Sequence, residues 1–158
     1  MDFLVIPAYK PDLTLIHLLQ RVKAKSSLHV VVVNDGSPAS YDSIFQEAQK
    51  YAIILCYPSN QGKGQALKNA FTYIDTLGQY GTVVTADADG QHNVWDIFRV
   101  SKKAQENPNH LILGVRSFSG KVPLRSAFGN KVTRFLFQRQ TGVSVTDTQT
   151  GLRGFTTN

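Results

Sequence analysis

The sequence predicts an α/β fold, with a mostly parallel sheet covered by helices on both faces. Short apolar runs rich in β-branched residues alternate at least four times with segments of helical periodicity along the 158 residues. The runs are continuously apolar, which is typical of strands buried on both faces. Polar or glycine-rich residues follow each run, and in such sheets the ligand site lies at the carboxyl ends of the strands.

The first half of the chain contains three predicted strands. Residues 2–6 form an apolar run that ends at Pro7, and the run HVVVVNDGS, which begins at His29, is the second strand. Asp12 is a plausible N-cap for the helix between them, because apolar residues then recur at three-residue steps. A further helix and the third strand are predicted at 41–50 and 52–57.

The second half repeats the alternation of strand and helix. The glycine-rich segment SNQGKG opens a helix that closes at Gly78, and GTVVTADADG, residues 81–90, is the fourth strand. Gly and Asn residues at these boundaries are ordinary helix-end signals. The remaining predicted elements are a helix from Asn93 to about Asn107, a fifth strand at 110–116 and a basic, aromatic helix at 126–140.

Charge and composition narrow the function classes. Lys and Arg number 17 against 11 Asp and Glu, giving a net charge of +6, which indicates an anionic partner. Seven of these basic residues and a single acid lie between Arg116 and Arg153. There is no apolar run of about 18 residues in the sequence, so we expect no membrane span, and the first residues lead us to expect no signal peptide. The lone Cys56 is expected to be a small buried residue. A cytosolic location fits these features.

Two carboxylates close the fourth strand. Asp87 and Asp89 are one residue apart, so in an extended segment both side chains point the same way. Paired carboxylates form a hard-oxygen site for Mg²⁺ or Mn²⁺, which usually binds one or two carboxylates together with substrate phosphates. The alternative is a solvated acidic turn. The position after a buried strand, among several other polar clusters, favours the metal site.

Two other residues near predicted strand ends are candidates for a ligand site. Lys63 lies in NQGKG and can meet an anion, although the glycines there serve equally well for a tight turn into the helix. Asp35 in NDGS can accept hydrogen bonds from a ribose or a base, or it can form a turn. His92 has no partner histidine at metal spacing and is interpreted as structural.

Nearly the whole chain resembles the family 2 glycosyltransferases of GT-A fold, which is a Rossmann-like α/β fold. The similarity is greatest to the branch of dolichyl-phosphate mannose synthase and the bacterial polyprenyl-phosphate glycosyltransferases. No Q-x-x-R-W motif follows, unlike in the processive polysaccharide synthases. The segments that carry the resemblance, in chain order, are VIPAYKP, VVNDGS, NQGKGQALKNAF, TADADGQH, GVRS, PLRSAFGN and DTQTGLRGF.

The resemblance implies a role for each matching residue. The residues that would line the nucleoside pocket are Pro7, Ala8, Tyr9 and Asp35. Asp87 and Asp89 would hold the metal on the donor diphosphate, with Gln91 beside it. Arg116 and Arg125 match positions that hold the acceptor phosphate. Asp147, Gly151 and Arg153 match the segment D-x-x-[ST]-G-x-R, which lies close to the reacting groups.

The resemblance also implies a reaction and partners. These are a metal-dependent, inverting transfer from a UDP- or GDP-linked sugar to a polyprenyl phosphate, using Mg²⁺ or Mn²⁺. Residues 1–158 would form a single catalytic domain that lacks C-terminal elements found in relatives. The amphipathic pattern at 126–140 predicts peripheral contact with an anionic membrane surface, at the inner face of the membrane, although ordinary core packing explains its apolar stripe equally well.

Four other functions compete with this interpretation. A nucleotide-sugar-binding domain without turnover and a sugar nucleotidyltransferase are the nearest. A haloacid-dehalogenase-type phosphatase also uses D-x-D, but normally after the first strand. A nucleic-acid-binding module would explain the basic C-terminal quarter, yet the paired carboxylates would repel a phosphate backbone in the absence of metal. We therefore expect no nucleic-acid partner.

Overall fold

The computed structural model describes residues 1–115 and 150–157. Within these residues the chain forms one sheet and four α-helices. The strands are β1 (Phe3–Ala8), β2 (His29–Asp35), β3 (Ile53–Tyr57), β4 (Thr82–Thr85), β5 (Ile112–Leu113) and β6 (Arg153–Thr156). The helices are α1 (Leu13–Lys25), α2 (Asp42–Ala48), α3 (Lys63–Thr76) and α4 (Val94–Glu106), with a 3₁₀ turn at Ala39–Tyr41 before α2.

The sheet is mostly parallel, as the sequence predicts. Its strand order is β3-β2-β1-β4-β6-β5. The four strands from β3 to β4 run parallel to one another, whereas β6 is antiparallel to both of its neighbours. The carboxyl ends of β1, β2, β3 and β4 therefore meet at one edge of the sheet, where the polar segments follow them.

Helices cover both faces of the sheet, which confirms the predicted architecture. On one face, side chains such as Leu4 and Ile6 of β1 pack in a core with α1, α2 and α4. On the other face, the alternate residues Phe3 and Val5 pack with α3. These residues are completely or almost completely buried, and each such side chain contributes about 1.5–3 kcal/mol relative to exposure.

Side-chain caps set the starts of α1 and α4. Asp12 accepts a hydrogen bond from the Thr14 backbone N–H at 2.8 Å, and Asn93 accepts one from the Trp95 N–H at 3.1 Å. Each cap satisfies a backbone donor that has no partner inside its helix. Both predicted caps are confirmed.

The first predicted strand boundary was too early. The sequence suggests that β1 ends before Pro7, because proline cannot donate to a ladder, but the strand continues to Ala8 beside β2. On its other side, β1 pairs with β4 only from Phe3 to Val5. The missing N–H of Pro7 therefore breaks no hydrogen bond between β1 and β4.

The far side of the sheet differs most from the prediction. The fifth strand is limited to Ile112–Leu113, and β6, which the sequence analysis did not identify, lies between it and β4.

Cys56 is exposed rather than buried, because β3 is the edge strand of the described sheet. No helix among residues 1–115 and 150–157 is long and apolar enough to cross a membrane. The helix predicted at 126–140 lies outside the described residues.

Candidate active site

The two candidate metal ligands lie in a turn that follows β4. Because β4 ends at Thr85, the expectation that Asp87 and Asp89 share one side of an extended segment is wrong. The chain turns at Ala88 and Asp89, and Gly90 adopts a φ of 69°, which favours glycine. Asp87 is partly buried, whereas Asp89 is exposed and accepts a hydrogen bond from the Gln91 N–H at 3.0 Å.

The Asp87 carboxylate is held on both of its oxygens. Oδ1 forms an ion pair with the Nζ of Lys63, the first residue of α3. Oδ2 lies 3.4 Å from Nε2 of His92, which is buried. The hydrogen bond from His92 and then the contact with Lys63 hold the pKa of Asp87 well below its usual range, against the raising effect of partial burial. Asp87 is therefore ionised across the physiological pH range.

Gly151 covers the same carboxylate from the opposite end of the chain. A Cβ placed on Gly151 would overlap both Asp87 oxygens, so no other residue fits there without moving Asp87. The Thr85 Oγ1 donates to the Gly151 carbonyl at 2.8 Å in a buried hydrogen bond. Arg153 follows in β6, opposite Thr85, and its Nε donates to the Thr150 carbonyl at 3.1 Å. The segment TGLR thus lies directly beside the turn that contains Asp87.

Asp35, at the end of β2, binds the loop that precedes α3. Its carboxylate is buried and accepts hydrogen bonds from the Gln61 N–H at 3.0 Å and the Gly62 N–H at 2.9 Å. The two loops are in such close contact that a Cβ on Gly36 would overlap the backbone of Ser59 and Asn60. The carboxylate thus joins two loops that are distant in sequence, whereas the structural alternative in the sequence analysis was a local turn.

Two adjoining cavities bring most of the predicted site residues together. The smaller one, of about 110 Å³, has this lining: Pro7, Ala8, Tyr9, Asp35, Asn60 and Lys63. The larger one, of about 330 Å³, is lined by Pro7, Tyr9, Lys10, Pro11, Asp12, Asp87, Ala88 and Asp89. Pro7 and Tyr9 belong to both linings, so the two cavities adjoin and are described together as one cleft at this edge of the sheet. We call it the carboxyl-edge cleft.

Two other cavities lie outside the carboxyl-edge cleft. Gln91 and His92 line one of about 560 Å³, together with Arg99 and Val115. The other, of about 340 Å³, lies near the start of β4 and is lined by Phe71, Phe155 and neighbouring residues. Gln91 is thus adjacent to the turn but does not line the cleft.

The chemistry of the cleft suits a divalent cation that also binds substrate. Asp87 and Asp89 are hard-oxygen donors in one cavity, and a cationic group, the Lys63 ammonium, already contacts Asp87. The described residues contain no group of three or more His, Cys, Asp or Glu side chains arranged for a metal. Mg²⁺ and Mn²⁺ fit such a site because they bind through one or two carboxylates and complete their shells with substrate oxygens and water.

Some predicted residues lie outside the described part of the chain, and some described ones were missed. Arg116, Arg125 and Asp147 belong to the first group. Thr85 belongs to the second, because it binds the segment that covers Asp87, and His92 was interpreted as structural without its contact with Asp87 being foreseen. The available signal for His92 was its position immediately after the D-x-D-G-Q turn, from which a side chain can fold back on the first aspartate.

Comparison with known proteins identifies the family. The model of glycosyl transferase family 2 matches residues 3–157. An uncharacterized protein of Methanocaldococcus jannaschii is 32% identical over 97% of this chain and 63% of its own length. The UDP-N-acetylglucosamine–dolichyl-phosphate N-acetylglucosaminyltransferase of Methanococcus voltae is 27% identical over 97% of this chain and 68% of its own length. The chain therefore spans about two thirds of the length of these relatives.

A solved structure supports the fold independently. Glucosyl-3-phosphoglycerate synthase from Mycobacterium tuberculosis, in complex with Mn²⁺, UDP and phosphoglyceric acid, superposes with a TM-score of 0.69 at 16% identity. The superposition covers 98% of this chain and 55% of that one, and at this identity it shows a shared GT-A fold. With the family match over almost its full length, the chain belongs to glycosyl transferase family 2.

Proposed function

We propose that the chain is the catalytic domain of a metal-dependent, inverting glycosyltransferase. It would move a sugar from a UDP- or GDP-linked donor to a polyprenyl phosphate. The observation that carries the proposal is the carboxyl-edge cleft, whose adjoining cavities are lined by Asp35, Tyr9 and Lys63 in one and by Tyr9, Asp87 and Asp89 in the other. A nucleoside diphosphate matches this arrangement of side chains, because it has a polar base and ribose at one end and phosphates at the other.

The proposed donor roles are supported by the positions of these residues in the cleft. Pro7, Ala8 and Tyr9 would contact the nucleoside next to Asp35, and the half-exposed Tyr9 ring offers an apolar surface for a base. Lys63 lines the smaller cavity and reaches Asp87, so its ammonium is available to phosphate oxygens. These assignments put the diphosphate between Lys63 and the two aspartates.

Asp87 and Asp89 would hold Mg²⁺ or Mn²⁺ against the diphosphate. When bound, the cation supplies charge neutralisation for the leaving nucleoside diphosphate. His92 and Gly151 fix the Asp87 carboxylate, and the Gln91 N–H fixes one oxygen of Asp89. The protein thus orients both ligands in advance through partners that are not ligands themselves.

The proposed reaction is a single displacement at the anomeric carbon. A phosphate oxygen of the acceptor forms the new bond to that carbon, the bond to the diphosphate oxygen breaks with its electron pair, and the configuration inverts. A phosphate monoester has a second pKa near about 6, so the acceptor is largely ionised at neutral pH and needs little help from a general base. This is consistent with an acceptor site built from arginines.

The residues proposed for the acceptor side lie toward the end of the chain. Arg116 and Arg125 would hold the acceptor phosphate by bidentate contacts and offset its repulsion from the donor diphosphate. Asp147 and Arg153 would lie close to the reacting groups. The proposal of a polyprenyl phosphate is supported by the name of the Methanococcus voltae relative, which acts on dolichyl phosphate.

We also propose peripheral contact with the cytoplasmic face of an anionic membrane, where such an acceptor resides. Residues 126–140 combine an apolar stripe with Lys131, Arg134 and Arg139, and each basic residue near anionic lipid contributes about 1 kcal/mol. Co-sedimentation with vesicles should rise with anionic lipid and fall with salt. The double variant Lys131→Glu, Arg134→Glu should weaken it more than the matched control Lys23→Glu, Lys68→Glu, whose lysines are exposed on α1 and α3.

The function is tested first by calorimetry on the full-length protein. UDP and GDP are each titrated with and without Mn²⁺, for the wild type and for Asp89→Asn. We expect one nucleotide to bind at least about tenfold more tightly with Mn²⁺, and Asp89→Asn to lose that gain. Equal affinity with and without Mn²⁺ would contradict the proposed metal dependence.

Turnover distinguishes the remaining alternatives. A radiolabelled nucleotide sugar is incubated with a short polyprenyl phosphate, and incorporation into the organic phase is measured. Binding without transfer would indicate a nucleotide-sugar-binding domain. Release of pyrophosphate from a nucleoside triphosphate and a sugar phosphate would instead indicate a nucleotidyltransferase.

A further inference from the structure

Each oxygen of the Asp87 carboxylate has a side-chain partner, and of these two partners Lys63 is the exposed one. Oδ2 lies 3.4 Å from Nε2 of the buried His92, and Gly151 lies close to both oxygens. Oδ1 carries the ion pair with Lys63, whose side chain is 48% exposed and therefore able to leave without disturbing the core. A cation that binds Asp87 therefore meets a partner at either oxygen, and the exposed ammonium on Oδ1 is the partner that can give way.

The backbone, and not the lysine side chain, fixes where α3 begins. Asp35 accepts hydrogen bonds from the N–H groups of Gln61 and Gly62, the two residues immediately before Lys63. The close contact between Gly36 and the backbone at Asn60 further restricts this loop. The Lys63 side chain can therefore change partners while its Cα stays in place.

The Lys63 ammonium contacts the Asp87 carboxylate and lies beside a cavity that could hold the phosphate of a nucleotide. Lys63 contacts Asp87 at one end and also lines the smaller cavity beside Tyr9 and Asp35. An ammonium on a four-carbon stem is a compact point charge that satisfies either a carboxylate or a phosphate. Two cations at one carboxylate oxygen repel each other, so the ammonium and a divalent cation compete for Oδ1.

We infer that Lys63 makes metal binding depend on the nucleotide. Without nucleotide, the ammonium holds Asp87 Oδ1 and weakens metal binding. With nucleotide, the ammonium moves to the phosphate oxygens, and Oδ1 becomes free for the cation. This inference rests on the proposed function of the cleft. It adds an order of binding, in which the metal enters the site together with the donor.

Thermodynamic linkage makes the inference measurable. If nucleotide raises the affinity for metal by some factor, metal raises the affinity for nucleotide by the same factor. Removing the ammonium should raise the affinity for Mn²⁺ alone and lower the affinity for nucleotide alone. The factor that links the two ligands should therefore fall in a variant without the charge.

The experiment compares Lys63→Met and Lys63→Gln with Lys68→Met in the full-length protein. Lys68 is exposed on the same helix five residues away, so it controls for the loss of one positive charge from α3. Binding of Mn²⁺ is measured by the electron paramagnetic resonance signal of the free ion, without nucleotide and with saturating UDP or GDP. Circular dichroism confirms that each variant is folded.

We expect both Lys63 variants to bind Mn²⁺ alone about two- to fivefold more tightly than the wild type, as for the loss of a partly exposed ion pair. The gain from nucleotide should shrink by at least the same factor, and Lys68→Met should match the wild type. Mn²⁺ affinity that is unchanged or weaker in both Lys63 variants, while the wild type still couples Mn²⁺ to nucleotide, overturns this inference and leaves the proposed function intact. A wild type that binds neither Mn²⁺ nor nucleotide refutes both.

Discussion

The Cα of Gly151 lies so close to the Asp87 carboxylate that any side chain at position 151 would overlap it. The two residues are 64 positions apart in the sequence. They meet because the segment that leads into β6 runs beside the end of β4, where Thr85 and Gly151 are joined by a buried hydrogen bond. Gly151 therefore restricts the position that the Asp87 carboxylate can adopt.

The first prediction concerns this contact. Gly151→Ala should force the Asp87 carboxylate to rotate, with an overpacking cost of about 1–3 kcal/mol. Affinity for Mn²⁺ in the presence of nucleotide should fall about ten- to hundredfold, as when a partner that orients a metal ligand is lost. Calorimetry measures the affinity and thermal denaturation measures the stability.

Gly64→Ala is the matched stability control for Gly151→Ala. A Cβ on Gly64 would meet nothing within 4 Å, and alanine favours the first turn of α3. Its melting temperature should equal or exceed that of the wild type. If Gly151→Ala binds Mn²⁺ and nucleotide as well as the wild type does, the close contact with Asp87 has no functional consequence.

The second prediction concerns Thr85. Thr85→Val removes the donor to the Gly151 carbonyl and leaves that oxygen buried without its partner, which should cost about 1–3 kcal/mol in the free energy of unfolding. Thr85→Ser keeps the hydroxyl and should recover most of this loss. Urea denaturation of the two variants gives the comparison. Equal stability of Val and Ser at this position would mean that the hydroxyl contributes nothing.

The third prediction concerns the connection between β2 and the loop before α3. Asp35→Asn leaves one acceptor oxygen for two backbone N–H groups and turns an amide NH₂ toward the other, so we expect a loss of about 1–3 kcal/mol. The control is Asp75→Asn, at an exposed site near the C-terminal end of α3, where removing a negative charge should be neutral or slightly stabilising. Chemical denaturation that shows the same small change in both variants would contradict the structural role of Asp35.

The fourth prediction concerns pH. Because the hydrogen bond from His92 and the contact with Lys63 lower the pKa of Asp87 in the folded state, below its ordinary value of 3.8, the ionised carboxylate stabilises the fold at pH values above that number. This contribution should disappear as acid protonates the group. The difference in unfolding free energy between the wild type and Asp87→Asn should therefore shrink as the pH falls from about 5 to about 2.

Denaturation in EDTA at several pH values measures this difference. EDTA removes any contribution of bound metal, and the range below about pH 5 excludes most of the ordinary titration of histidine. A difference that stays constant, or that grows on acidification, would show that the contacts of Asp87 do not favour its ionised form.

The sequence predicted those parts of the fold that depend on local patterns. Apolar periodicity located α1, and residues typical of helix ends located α3 and α4. Asp12 and Asn93 could be recognised as caps because their acceptor groups lie within two residues of the donors they bind. β6 was missed because RGFT is four residues long, contains a glycine and has no clear alternation. Its place in the sheet comes from pairing with β4, about 70 positions earlier.

In the candidate site, too, the sequence revealed local patterns but not contacts between distant residues. The D-x-D segment and the residues around Tyr9 were identifiable from their positions after apolar strands. The partners of Asp35 were not, because Gln61 and Gly62 are 26 and 27 residues away and bind through their backbone N–H groups, which carry no sequence signal. The end of β4 at Thr85 was also misjudged, because the apolar pattern does not reveal where Gly90 reverses the chain.

The position of β6 imposes an order on folding during synthesis. β5 pairs with β6 in the described structure, and β6 lies between β5 and β4, so β5 has no place in the sheet until residues 153–156 exist. These residues emerge about 40 positions after β5, which corresponds to about 2–8 s at ordinary rates of translation. The four parallel strands β1 to β4 require no later segment to pair with one another. The parallel half of the described sheet can therefore pair before residues 153–156 are synthesised, whereas the antiparallel strands, with the glycine that covers Asp87, can join it only afterwards.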